Sequence, residues 1–367
     1  MPKIARLTVL ALLLAATPVL AQDAGRAAAT APVGGDERPK PVRNLAFYDT
    51  ELAVRSNNAD ERRGATIRAL GQVLVRLTGD PQAPANPVIR RAAGNIDALV
   101  VESKVRQQQE TVNGMPVYRS ILSVRFDPDN VDALIAAAGL KYWSATRPKP
   151  ILWLAIDDGR GPRLVTGQQT RVVKPLADRG LERGMRFLLP AGTSVEQAAV
   201  QSIWALNAKA LQALTARYRN DTQLVGKVYR KAPGWAADWV LSQDGVELAR
   251  WSHADADPRK AIASGVDEGV DALARRDARA LDTGTPGPQR VEVRGVDSQG
   301  DYLRLMSYLQ GLAMVRKTRV IEAEPGMVHL QLDLAVGLRA FLPVVASGEV
   351  LEAGPPGSDG VTRFTLR

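Results

Sequence analysis

The chain has 367 residues, 45% apolar and 24% charged, which is a globular composition and neither a disordered nor a fibrous one. It holds no cysteine and only two histidines, His253 and His329. That removes thiol catalysis, iron–sulfur clusters, disulfide frameworks and cysteine zinc sites, and leaves little for a histidine metal centre. Lys and Arg number 48 against 39 Asp and Glu, a net charge of +9. The excess is spread thinly, with no block of five like charges, so no nucleic-acid arm is expected.

Residues 1–21 read as a secretory signal peptide: Lys3 and Arg6 precede the apolar run Leu7–Ala16, Thr17-Pro18 breaks it, and Val19-Leu20-Ala21 offers a cleavage site before Gln22. The run is too short to span a bilayer, which needs about 20 residues. The expected product is therefore exported to the periplasm. Residues 22–43, rich in Ala, Gly and Pro, read as a flexible linker.

An N-terminal α+β module is predicted over 44–147. Tyr48, Thr50, Leu52 and Val54 share one face of a strand over Phe47–Val54. Asp60 can cap a helix whose inward stripe is Ile67, Leu70, Leu74 and Leu77, ended by Gly79-Asp80-Pro81. A weaker helix follows at Val88–Ala93, then a strand in which Tyr118, Ser120, Leu122, Val124 and Phe126 alternate with polar residues. Asp127-Pro128 opens a helix that buries Val131, Leu134, Ile135 and Ala138 and stops at Gly139. The predicted order is strand, helix, helix, strand, helix.

Arg147-Pro148-Lys149-Pro150 marks a boundary. A central α/β module is predicted over 149–281. It starts with the apolar run Ile151–Ile156, which suits a strand covered on both faces. A helix over Val173–Arg183 and a short strand over Arg186–Leu189 come next. Ser194 through Gln197 fits a capping box for a helix that buries Ile203, Leu206 or Leu211, and Leu214. Leu224–Tyr229 and Trp235–Leu241 read as strands, and Asp244-Gly245 turns the chain into a third, Val246–Trp251. Asp257-Pro258 opens a last helix with Ile262, Val266, Val270 and Leu273 inward. A Gly/Pro linker is expected at 282–288. The C-terminal module, 289–367, reads βαββαβ, as in a ferredoxin-like or KH-like layer. The fold class is thus α/β and α+β, in three tandem small layered modules.

Catalytic constellations are scarce. No Gly-x-Ser-x-Gly elbow, phosphate loop or dinucleotide fingerprint occurs. Asp157-Asp158-Gly159, directly after the apolar strand, could hold a hard cation for metal-assisted hydrolysis, and equally reads as an acidic turn. His253, Asp255 and Asp257 could form a weak divalent site, although Asp257 also suits a helix cap. Trp235 and Trp239 share a strand face with Trp251 on the partner strand, as packed cross-strand aromatics do; a glycan-binding platform would need them exposed.

The order of several short motifs resembles the exported bacterial proteins grouped as domain-of-unknown-function family 2066. These are Val73 to Asp80, Val124 to Asp127, Arg147-Pro148 followed by Ile151 to Gly159, Ala216 to Tyr218 before Leu224 to Gly226, Asp301-Tyr302 through Tyr308 to Gly311, and Leu330 to Leu334. The likeness covers about 45–350. It implies a Gram-negative exported protein and supplies no catalytic residue. The central segment also resembles, at fold level only, α/β domains of envelope assembly proteins such as the N-terminal part of TolB-like proteins and the curli-secretion accessory fold. The expectation is a non-enzymatic interaction module of the cell envelope, without cofactor, catalytic or metal residues. Its expected partners are envelope proteins, then peptidoglycan or anionic lipid headgroups, and not nucleic acid.

Overall fold

The computed structural model describes residues 43–112, 115–355 and 361–367. The expected signal peptide lies outside the described residues, as does the expected linker apart from its last residue, Arg43. That residue is not loose: its guanidinium holds Asp129 and Asp132, each at 2.7 Å.

The first sheet is built from β1 (Asp49–Val54), α1 (Ala59–Thr78), α2 (Pro87–Ala92), β2 (Val100–Val112), β3 (Met115–Phe126) and α3 (Pro128–Ala137). Its strand order is β1-β3-β2, antiparallel throughout. Asn58, not Asp60, caps α1, its side chain accepting from the Glu61 N–H at 2.7 Å; Asp60 sits in the first turn. Gly79, with φ of 72°, closes the helix in the left-handed conformation. Ile67 is 37% exposed, because the buried stripe runs through Ala69, Leu70, Val73, Leu74 and Leu77. Asp127 caps α3 with Pro128 at its first position, as expected.

The central sheet comprises β4 (Ile151–Asp157), β5 (Arg163–Leu164), α4 (Thr170–Glu182), α5 (Ser194–Ala198), α6 (Val200–Trp204), α7 (Ala208–Ala216), β6 (Thr222–Lys231), β7 (Gly234–Gln243), β8 (Val246–Asp255), α8 (Pro258–Ala263) and α9 (Asp267–Asp277). Its order is β5-β4-β6-β7-β8, with β4 and β6 parallel. Both faces of β4 are covered, as its unbroken apolar run requires. Leu152 and Leu154 join one core, while Ile151, Trp153 and Ala155 join another. The capping box belongs to Thr193 and Glu196, one residue earlier than read. The single helix expected after it is three short ones, and Leu206 between two of them has φ of 53°. Leu188 makes only one bridge, to Ile151, rather than a strand.

Trp239 explains a glycine. In the β6–β7 register it stands opposite Gly226, and Gly265 backs the ring from the other side; a Cβ at these glycines would come within 2.1 and 2.8 Å of the indole. The indole N–H donates to Ser264 Oγ at 3.1 Å.

The third sheet comprises β9 (Gly287–Val296), α10 (Gln299–Gly311), β10 (Val315–Glu324), β11 (Gly326–Leu334), α11 (Leu338–Ser347), β12 (Leu351–Ala353) and β13 (Thr362–Leu366). The expected βαββαβ order is present with one added strand. The sheet order β10-β11-β9-β13-β12 places the strands as a ferredoxin-like layer does. The extra edge strand β12 then reverses the last one, so β13 runs parallel to β9 instead of antiparallel. The expected linker at 282–288 is engaged with this layer: Asp282 pairs with Arg339 at 3.1 Å, and β9 already starts at Gly287.

α3 serves two cores. Val131, Leu134 and Ile135 pack into the first, while Ala133, Ala136 and Ala137 pack against the third beside α11. The central sheet is tied in differently. Tyr142 and Arg279, on either side of it in sequence, exchange backbone hydrogen bonds of 2.8 and 3.0 Å. Arg183, 2% exposed, bonds Asp267 and Asp271 at 2.5 Å and the Gly79 carbonyl at 2.9 Å.

Burial alone would push the Asp267 carboxyl up, but the guanidinium groups of Arg179 and Arg183 hold it below the usual carboxylate range. A carboxylate with a depressed folded pKa stabilises the fold above its unfolded value, and that stabilisation is lost as pH falls through the folded one. The melting temperature is expected to fall below about pH 4. Thermal unfolding across pH checks this: Asp267→Asn should melt lower than wild type at pH 7, and the gap should close in acid. A gap that persists at low pH would refute it.

Candidate functional site

The residues with candidate chemistry are placed in structural roles. Asp157 Oδ1 accepts from the backbone N–H groups of Gly159 and Gly161 at 2.8 and 2.9 Å. Asp158 pairs with Arg163 at 2.7 Å, and that hydrogen bond lowers its carboxyl pKa. With Gly159 at φ of 103°, this is the acidic turn, each carboxylate turned to its own partner. Asp257 caps α8 by accepting from the Arg259 N–H at 2.8 Å, and Asp255 accepts from the Asp257 N–H at 2.8 Å. His253 reaches no closer than 4.0 Å to Asp255. Among the described residues, no group of three or more His, Asp or Glu side chains is placed to hold a metal ion. The tryptophans pack: Trp143, Trp153 and Trp239 are buried, and Trp204, Trp235 and Trp251 are half-buried.

The feature that stands apart is a two-stranded arm. β1 pairs with β3 only from Asp49–Arg125 to Val54–Ser120, whereas β2 and β3 continue together to Val112–Met115. Beyond Ser120, among the described residues, neither outer edge of the ribbon is paired with another strand, so its backbone N–H and C=O groups face outward, available to a further strand. Its base is covered on the solvent face by cross-strand ion pairs: Arg106–Glu51 at 2.8 Å, Arg125–Asp49 at 3.3 Å and Arg125–Glu102 at 3.2 Å. Glu102 is held below the usual carboxylate range by Lys104 first and Arg125 second.

The tip has the opposite character. Met115, Val117 and Tyr118 are 68%, 38% and 64% exposed. Tyr118 continues the face of Leu122, Val124 and Phe126, but it lies past the part of the sheet that carries the buried residues. Its place on that face was legible in the alternation. The strand β2 was not read, because Lys104 through Gln109 is mostly polar on both faces. One signal was available: the register leaves Asn113-Gly114 between the strands, and that pair is a strong hairpin signal.

The arm lies in a segment that matches a protein-family model. Residues 42–144 match DUF8605, a domain of unknown function. The match covers under a third of the 367 residues and coincides with the first sheet and its helices, Arg43 and the arm included. It is a different family of unknown function from family 2066, to which the order of motifs was likened. No curated protein and no solved structure matches the chain.

Proposed function

We propose that the chain is a non-catalytic interaction module of the cell envelope, exported to the periplasm, which receives a protein partner on the β2–β3 arm. The observation that carries this reading is the arm itself. An exposed ribbon whose edges meet no third strand among the described residues, and whose tip is apolar, costs solubility and adds little to any core, so its retention fits a surface that a partner covers. The signal-like N-terminus supports export. The metal-assisted alternative at Asp157 and Asp158 is weakened by the local partners that each carboxylate already has.

A photo-crosslinking residue at Tyr118, with a control at the equally exposed Val246, tests the reading in intact cells. Discrete adducts with envelope proteins are expected from position 118 and not from 246. Adducts only with sacculus material, lost on adding salt, would replace the protein partner with a cell-wall polymer. No adduct from 118 would end the proposal.

A further inference from the structure

Between the first and central sheets lies a cavity of about 450 Å³, lined among others by Phe47, Arg76, Arg147, Lys149, Leu181 and Arg186. Four of its lining residues are cationic and none is acidic. The two inner cations are held by dipoles rather than by carboxylates. Arg147 makes five hydrogen bonds to carbonyls: to Ser144 at 3.0 Å, Arg183 at 3.3 Å, Gly184 at 3.0 Å, Arg76 at 2.6 Å and Trp143 at 3.0 Å. Its guanidinium also lies over the rings of Trp143 and Phe47, at 3.8 and 4.6 Å. Arg76 donates to the carbonyls of Ala46, Phe47 and Asp49 at 3.4, 3.3 and 2.8 Å, and its buried Nε has no hydrogen-bond partner among the described residues.

Carbonyl oxygens fix a guanidinium in place but leave its full charge uncancelled. Burial, with Arg76 and Arg183 close by, pushes Arg147 down to about 9. The acids that Arg76 feels are Asp49 and Glu182, and both are committed elsewhere, to Arg125 at 3.3 Å and Arg179 at 2.7 Å. Lys149 and Arg186 are exposed, and neither forms an ion pair among the described residues. Leu181, 52% exposed, adds apolar surface to the cavity lining.

We propose that this cavity binds a phosphate group, with Lys149 and Arg186 donating to its oxygens and Arg76 and Arg147 supplying fixed positive charge behind them. Bound phosphate would supply the counter-charge that the fold itself omits. The cavity exceeds the size of the anion alone, so it admits a phosphate ester as well as the free anion. A free phosphate compound and a phospholipid headgroup share this chemistry, and the exposed Leu181 is placed to meet acyl chains in the second case.

The test uses the full chain with two probes: inorganic phosphate, and vesicles of phosphatidylglycerol in phosphatidylcholine, each at constant ionic strength. Lys149→Ala with Arg186→Ala alters exposed side chains, so its melting temperature should match wild type. A control, Arg90→Ala with Arg290→Ala, removes the same charge from exposed positions outside the cavity. The expected result is binding of at least one probe by wild type and the control, weakened about tenfold or more in the cavity variant. Binding of inorganic phosphate identifies a free compound, and binding of vesicles alone identifies a headgroup. Equal weakening in both variants would show general charge attraction and overturn the proposal, as would no binding of either probe.

Discussion

Adding a single methyl group at Gly226 is expected to destabilise the protein by about 3 kcal/mol or more. The position lies in the middle of β6, where alanine would ordinarily be harmless or better. Here the Trp239 ring lies across the glycine, and a Cβ would sit 2.1 Å from one ring carbon and 2.2 Å from another. The indole cannot simply retreat. Gly265 backs it on the far side, where a Cβ would meet it at 2.8 Å, and its N–H is held by Ser264 at 3.1 Å. The ring is fully buried among Leu224, Val228 and Leu241, so any shift is passed to the core. Urea denaturation should show a lower midpoint with an unchanged slope. Gly94→Ala is the contrast, because nothing lies within 4 Å of its added Cβ, and it should fall within about 0.5 kcal/mol of wild type. If Gly226→Ala were as mild as Gly94→Ala, the packing around Trp239 described above would be wrong.

Replacing Arg183 by methionine is expected to cost about 3 kcal/mol at neutral pH. The side chain is 2% exposed and meets three groups on two helices: Asp267 and Asp271 on α9, and the carbonyl of Gly79 at the end of α1. Methionine fills much of the volume, so the loss reports the polar contacts more than a cavity. The estimate is set at the lower end of the range for buried pairs because Asp267 and Asp271 keep 42% and 21% exposure and can be hydrated once the cation is gone. Lysine should not rescue, since one ammonium cannot reproduce the planar fork that meets both carboxylates and the carbonyl. Thermal unfolding of the three proteins gives the answer, and a lysine variant as stable as wild type would refute the assigned geometry.

The parts of the fold that could be read were those set by local backbone chemistry. Gly79, the Asp127-Pro128 pair and the Asp244-Gly245 turn each impose a backbone geometry that few other residues supply, and each is where it was expected. The parts that escaped depend on what lies opposite. Ala133, Ala136 and Ala137 look like neutral helix formers until α11 is placed against them. Arg147 and Arg183 read as part of a module boundary and as a helix end, because nothing in their neighbourhood in sequence announces the carbonyls and carboxylates that enclose them. β2 carried no apolar alternation, since most of its length was never destined for a core. The arm was therefore half visible, as Tyr118 on β3, and the phosphate cavity was not visible at all. Its four cations come from positions 76, 147, 149 and 186 and converge only in the folded chain.

The bridge between Tyr142 and Arg279 has a consequence for how this protein is assembled. Two residues separated by the whole central sheet are hydrogen-bonded neighbours, so that sheet leaves and rejoins the rest of the molecule through one narrow doorway. The first and third layers, which already share α3, are continuous across that doorway. In topological terms the central layer is a guest in a host made of the other two. The host could close with a short turn in its place, and the guest's two ends are near enough to be joined to each other. Guest and host are then free to vary in sequence at different rates, held in common by their shared contacts, among them those of Arg147 and Arg183 and the bond from the Trp143 N–H to the Leu77 carbonyl at 2.7 Å.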